Sequence, residues 1–227
     1  MAGAGAATQN SGNANAAGSN HRGTFQSPRR PRPTVTEITE TLVRAAQNGD
    51  NEASRKIVEA LQRPVLATIF RFLGPAWRRD VEDLAQEVFL KVFRALPSFD
   101  AARAKFTTWV YTFVRNHCYD VLKKRRLPTA SLDAADPDEP KRDPADRREL
   151  APTSSLENQE LGRRIGEALA TLGEDQRMVF VLREYESLDY AEIAAITGVN
   201  EGTVKSRLFR AKESLREQLR PYLEAGA

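Results

Sequence analysis

Three groups of side chains carry chemistry that their types and spacing could put to use. The first is Thr203, Lys205, Ser206, Arg207, Phe209 and Arg210. Lysine and arginine donate to guanine edges and phosphates, and serine and threonine can contact either. An outward phenyl ring is unhelpful in water but packs on a thymine methyl or a sugar. The second is Tyr111, Thr112, Arg115, Asn116, Tyr119 and Lys123, running on into Lys124–Arg125–Arg126. Aromatic faces, amides and cations are what unstacked single-stranded DNA needs. The third is Asp80, Asp83, Gln86 and Glu87. An acidic patch repels DNA, so it serves a protein partner or simple solubility.

Covalent chemistry finds little support. The 227 residues include one cysteine and two histidines. His117–Cys118 is the one close pair of nucleophile and base, but neighbours on a helix diverge. Cys118 reads as core packing. No disulfide or dedicated zinc site can be built from this set. There is no glycine-rich phosphate loop, and the carboxylates lack an apolar setting that would tune them. The expectation is a protein that is not an enzyme and uses no cofactor. The net charge of +3 does not by itself mark a nucleic-acid binder; clustering decides. No apolar run approaches the roughly 18–20 residues that span a bilayer. The N-terminus has no apolar signal segment. A cytoplasmic location without membrane insertion is expected.

The elements that must position these groups are helices. Residues 1–33 are small and polar, then basic and proline-rich, and read as a disordered tail. Arg22, Arg29, Arg30 and Arg32 could lend it non-specific phosphate affinity. Residues 34–126 carry helical periodicity. Thr36 is the expected first N-cap, with Ile38, Leu42 and Ala45 on one stripe. Gly49–Asp50–Asn51 breaks that helix. The next holds Ile57, Leu61, Val65, Ile69 and Phe72, with Pro64 inside it expected to kink it, and stops near Gly74–Pro75. Helices follow over 80–96 and 106–126, separated by a proline-containing loop. Val81, Leu84, Val88 and Val92 should face inward in the first, and Val110, Val114 and Val121 in the second.

Residues 127–155 are rich in proline, aspartate and alanine and read as a flexible acidic linker. Helical stripes return over 156–223, with Leu161, Ile165, Ala168 and Leu172 in one helix and Met178, Val181, Leu182 and Tyr185 in the next. No strand-like alternation appears. The fold class is therefore all-α, in two helical domains.

Leu188–Leu215 reads as two helices joined at Gly198–Val199–Asn200, a helix-turn-helix. Gly198 supplies the left-handed backbone that the turn needs. With Val204 and Leu208 turned inward, Gly202, Ser206, Phe209 and Arg210 point outward, flanked by Thr203 and Lys205. An ordinary helix pair with a solvated basic face would share this pattern. Likewise, a basic C-terminus on 106–126 would complement a helix dipole without binding anything.

The two segments together resemble the sigma-70 family. DVEDLAQEVFLKVFRAL and FTTWVYTFVRNHCYDVLKKRR look like its region 2, and residues 168–219 look like its region 4. Nothing resembles regions 1.1 or 3, as in the extracytoplasmic-function class. The resemblance implies a transcription initiation factor. Its partners would be core RNA polymerase, through the β′ clamp helices and β flap, and promoter DNA. Asp80, Asp83, Gln86 and Glu87 would dock on the clamp helices. Asn116 and its neighbours, with the loop Ser98–Lys105, would capture a flipped base of the −10 element. Thr203, Lys205, Ser206, Phe209 and Arg210 would read the −35 element, and Arg207 would contact phosphate. Thr112–Phe113 stands where primary members have paired tryptophans, which implies a weaker wedge for opening DNA. Many members are held by an anti-sigma factor, a partner the residues leave open here. The competing readings are a stand-alone helix-turn-helix regulator, which has no use for the acidic helix, and a protein adaptor, which has no use for Phe209–Arg210.

Overall fold

A computed structural model describes residues 38–126 and 156–225. The expected tail at 1–33, Thr36 and the linker at 127–155 lie outside the described residues. Among those described, every regular element is helical.

Four helices form the first group: α1 (Glu40–Gln47), α2 (Asn51–Leu73), α3 (Val81–Ala95) and α4 (Phe106–Arg126). Thr39 caps α1, its hydroxyl accepting from the Leu42 amide at 3.2 Å. Gly49 turns the chain at φ +87°, and Asp50 then caps α2 by accepting from the amides of Glu52 and Ala53. α2 runs unbroken through Pro64. The stripe Ile57, Leu61, Val65, Ile69 and Phe72 is buried throughout. So are Val81, Leu84, Val88 and Val92 of α3, and Val110 and Val114 of α4. Val121 is only half-buried.

The second group is α5 (Leu156–Thr171), α6 (Glu174–Glu184), α7 (Tyr190–Thr197) and α8 (Glu201–Ala225). Ala168 and Leu172 of the expected α5 stripe are buried, but Leu161 is exposed and Leu169 takes a core position. α5 packs on α8 around Leu169, Ala211 and Leu215. α7 opens with a capping box in which Asp189 accepts from the Glu192 amide and Glu192 accepts from the Asp189 amide.

The two groups share one core. Met178, Val179 and Leu182 of α6, with Ile193 and Ile196 of α7, belong to the apolar cluster that contains the buried face of α2 and α4. Arg177 reinforces the junction. Its buried guanidinium donates to the Phe72 carbonyl at 2.7 Å, at the end of α2, and to the Leu172 carbonyl at 2.9 Å, just past α5. Carbonyls at helix ends have no partner within the helix, so a buried donor there meets a real need.

Candidate nucleic-acid interface

The first turn of α8 is fixed by Asn200. Its Oδ1 accepts from the Thr203 amide at 2.8 Å and from the Thr203 hydroxyl at 3.1 Å. Gly198 makes the preceding turn at φ +71°, with its amide donating to the Ala194 carbonyl. Val204, Leu208 and Ala211 pin α8 to its neighbours. The opposite face presents Lys205, Ser206, Phe209 and Arg210 to solvent, with Thr203 half-buried beside them. Phe209 is 65% exposed, which a core role cannot explain. Arg207 differs from its companions: it is half-buried and donates to Asp175 Oδ2 at 2.5 Å.

α4 departs further from the sequence expectation. Asn116 and Lys123 are exposed, and Thr112, Arg115 and Tyr119 are half-buried. Tyr111, expected on the outer face, is buried at 4% exposure. The reason is that the turn after α6, together with α7, lies across α4. The Tyr111 hydroxyl donates to Glu186 Oε2, and Thr68 donates to Glu186 Oε1 at 2.8 Å. Burial, and secondarily the Glu186 charge, push the Tyr111 phenol well above its ordinary range. Tyr119 donates to Asp175 Oδ1 at 2.8 Å, with the Arg115 guanidinium 4.7 Å above its ring. Beside α4, the loop from 98 to 105 is held from below. Gln47 donates to the carbonyls of Leu96 and Phe99 at 3.1 and 2.9 Å, and the rings of Phe99, Phe106, Trp109 and Phe113 form one cluster of edge-on and tilted contacts. A pocket of 360 Å³ opens there between Ser98, Arg103 and Trp109.

α3 turns Asp83, Gln86 and Glu87 outward, and Asp80 precedes it, also exposed. Leu90, which the sequence reading passed over, stands on the same face at 57% exposure. Its position three and four residues after Glu87 and Gln86 was the available signal. Behind this face His117 is buried. Lys91 donates to its Nδ1 at 2.8 Å, and Glu87 lies 3.6 Å from Nε2. Burial first, and then Lys91, lower the His117 pKa, so the ring is neutral at neutral pH.

Comparison with known proteins supplies the lineage. Residues 57–127 match the family described as Sigma-70 region 2, and residues 162–215 match Sigma-70, region 4. The chain is 34% identical over 186 residues to the ECF RNA polymerase sigma-E factor of Escherichia coli K12, covering 81% of this chain and 95% of that one. It is also 34% identical over 191 residues to the RNA polymerase sigma-H factor of Pseudomonas aeruginosa, covering 82% and 96%.

The chain belongs to the sigma-70 family.

Within that family it is a sigma factor of the extracytoplasmic-function class, which binds core RNA polymerase and directs promoter-specific initiation. The fold agrees. CnrH, solved in complex with the cytosolic domain of CnrY, aligns with a TM-score of 0.60 at 21% identity, over 82% of this chain and 99% of that one. The sigma factor RpoE of Bartonella quintana, in complex with the anti-sigma factor NepR, aligns with a TM-score of 0.56 at 24% identity, over 73% and 96%. No described helix is long and apolar enough to cross a membrane.

The sequence reading missed the sigma factor's residues that join region 2 to region 4: Glu174, Asp175, Arg177, Glu186 and Glu192. Most have no local signature, because their partners are tens of residues away in the chain. Glu192 is the exception, since Asp189–Tyr190–Ala191–Glu192 has the capping-box spacing.

Proposed function

We propose that this sigma factor docks on core polymerase through α3 and reads the two promoter elements through α4 and α8. Region 2 then spans 34–126, region 4 spans 156–223, and 127–155 tethers them in the cytoplasm. Asp80, Asp83, Gln86 and Glu87 form an exposed polar strip that leads along α3 to exposed Leu90, an apolar anchor with a polar flank. On the DNA side, Asn116 and the pocket beneath the 98–105 loop take an unstacked base, and Arg115, Tyr119 and Lys123 hold the strand. Extrusion costs a few kcal/mol, offset by stacking and pocket contacts. Lys205, Ser206, Phe209 and Arg210 enter the upstream major groove. Each region binds modestly, and the tether adds the two affinities through effective concentration. No bond is made or broken by the protein itself.

The observation that carries this reading is Phe209, exposed on a helix-turn-helix face beside Arg210 while α3 keeps its acidic face open. A stand-alone regulator would use the first and have no use for the second. The test is a pull-down of purified core polymerase. Glu87→Lys should abolish retention while circular dichroism stays unchanged. Full retention by a folded Glu87→Lys variant would refute the docking assignment.

A further inference from the structure

The side-chain amide of Gln47 clamps the turn that leads into the 98–105 loop. Its Nε2 donates to the Leu96 carbonyl at 3.1 Å and to the Phe99 carbonyl at 2.9 Å. These carbonyls bracket a single turn, Leu96–Ser98, which the Phe99 amide closes by donating to the Leu96 carbonyl at 3.0 Å. One NH2 group has two hydrogens, so it serves both acceptors at once. The reverse amide orientation would set Oε1 against two carbonyl oxygens. Gln47 is itself firmly seated. It is the last residue of α1, where Val43 and Ala46 are buried and the Asn48 amide returns to the carbonyls of Arg44 and Ala45. Beyond the clamp the chain forms a partition between two cavities. Phe99 and Asp100 line the 360 Å³ pocket on the Trp109 side. The same two residues line a cavity of 330 Å³ on the α1 side, together with Val43, Arg44 and Ala101. The Phe99 ring leans on Phe106 and Trp109, with 5.2 and 5.1 Å between centroids.

We infer that Gln47 is a positioning residue for base recognition: by pinning the Leu96 and Phe99 carbonyls it fixes the wall against which an unstacked base is read. The inference rests on the assignment of the 98–105 pocket to such a base made above. It brings α1, to which no contact with DNA or polymerase is assigned, into promoter recognition. A base entering on the Trp109 side presses on Phe99 and Asp100. Behind them lies the second cavity, so side-chain packing does not stop the wall from yielding in that direction. The two bonds from Gln47 do. Telling one base from another requires donors and acceptors held to within about 0.5 Å, by supporting groups that do not themselves touch the ligand. A wall free to shift lets a wrong base find compromise contacts. The docking face of α3 and the outward face of α8 take no part in these bonds. Loss of the clamp should therefore blur one position of the downstream promoter element and leave polymerase docking and the upstream element intact.

The test uses the full chain with purified core polymerase on a duplex library randomised upstream of a constant transcribed segment. Mapping transcript 5′ ends and aligning the templates on them gives the base preference at each upstream position. Gln47→Leu removes both donors at similar volume. Gln47→Glu keeps the shape and sets a carboxylate against the two carbonyls. Leu42→Ala, also on α1, loosens the packing of that helix without removing either bond. Gln47→Leu should lower the ratio of preferred to other bases about tenfold at one downstream position, the discrimination that one well-placed pair of base contacts supplies. Gln47→Glu should lower it at least as far, and Leu42→Ala should keep it. Retention of polymerase and preference at the upstream element should match wild type throughout. An unchanged ratio in Gln47→Leu, an equal loss in Leu42→Ala, or an equal loss at both elements would overturn the inference. The wild-type profile separates this from the reading beneath it. A wild type with no downstream preference removes the base pocket, and the inference falls with it. A wild type with that preference and a Gln47→Leu variant that keeps it leaves the pocket standing and the role of Gln47 refuted. Should Gln47→Leu not fold, Gln47→Glu carries the test on the same readout.

Discussion

The Tyr111 hydroxyl donates to Glu186, joining the second turn of α4 to the turn after α6 across 75 residues of chain. Tyr111 is 4% exposed and the Glu186 side chain 6% exposed, so neither group can exchange this bond for water without separating the two regions. Ser187, the next residue, adopts φ +54°, a left-handed conformation that non-glycine residues rarely take. The turn accepts that conformation where it seats the Glu186 carboxylate between α2 and α4.

Tyr111→Phe should therefore cost about 1–3 kcal/mol of stability, because it removes a donor from a buried carboxylate. The double variant Tyr111→Phe/Glu186→Gln should cost less than the sum of the singles, with a coupling of about 0.5–3 kcal/mol. Urea denaturation of the four proteins measures it. Strict additivity would mean that the two side chains act independently.

The pH dependence of the same site has a definite sign. Burial raises the Glu186 pKa above its ordinary 4.5, outweighing the hydrogen bonds from Tyr111 and Thr68 and the attraction of Arg71 at 3.9 Å. The packed state therefore holds its proton more tightly than the unfolded chain does. That contribution is complete below pH 4.5 and drains away as pH rises through the elevated value. Between pH 4.5 and neutrality, wild type should lose stability relative to Glu186→Gln. Parallel denaturation profiles for the two proteins would contradict this.

Gly198 offers a purely conformational test. Its φ is +71°, yet a Cβ built there would meet nothing within 4 Å. Gly198→Ala should destabilise by about 1 kcal/mol through backbone strain alone. Gly198→Asn should cost less, since asparagine tolerates this region. Thermal denaturation of the two variants decides it, and equal losses would point to a steric cause instead.

The helices were legible in the sequence because their signals are local. Gly49–Asp50, Gly74–Pro75 and Gly198 mark ends that the structure reproduces, and the apolar stripes of α2 and α3 are buried as their spacing predicts. The outward face of α8 was legible for the same reason: once Val204 and Leu208 are fixed, Phe209 and Arg210 have one direction left. Tyr111 was misplaced because periodicity phases a helix only against its own group. It carries no information about a second group covering the opposite side. Leu161 and Leu169 were confused because both are leucines near one stripe, and packing on α8 selects Leu169. The Asp175 bridge between Tyr119 and Arg207 depends wholly on how the two regions meet, so no window along the chain contains it.

In the proposed mechanism regions 2 and 4 act together, under polymerase, on one start site. Transcription in vitro with purified core polymerase, this chain and a genomic fragment library, followed by mapping of transcript 5′ ends, tests it most directly. Initiation should be confined to fragments sharing two spaced elements, with Arg210→Ala relaxing the upstream one and Glu87→Lys abolishing all products. Initiation that ignored both elements, or no initiation by the correctly folded chain with active core enzyme, would contradict it.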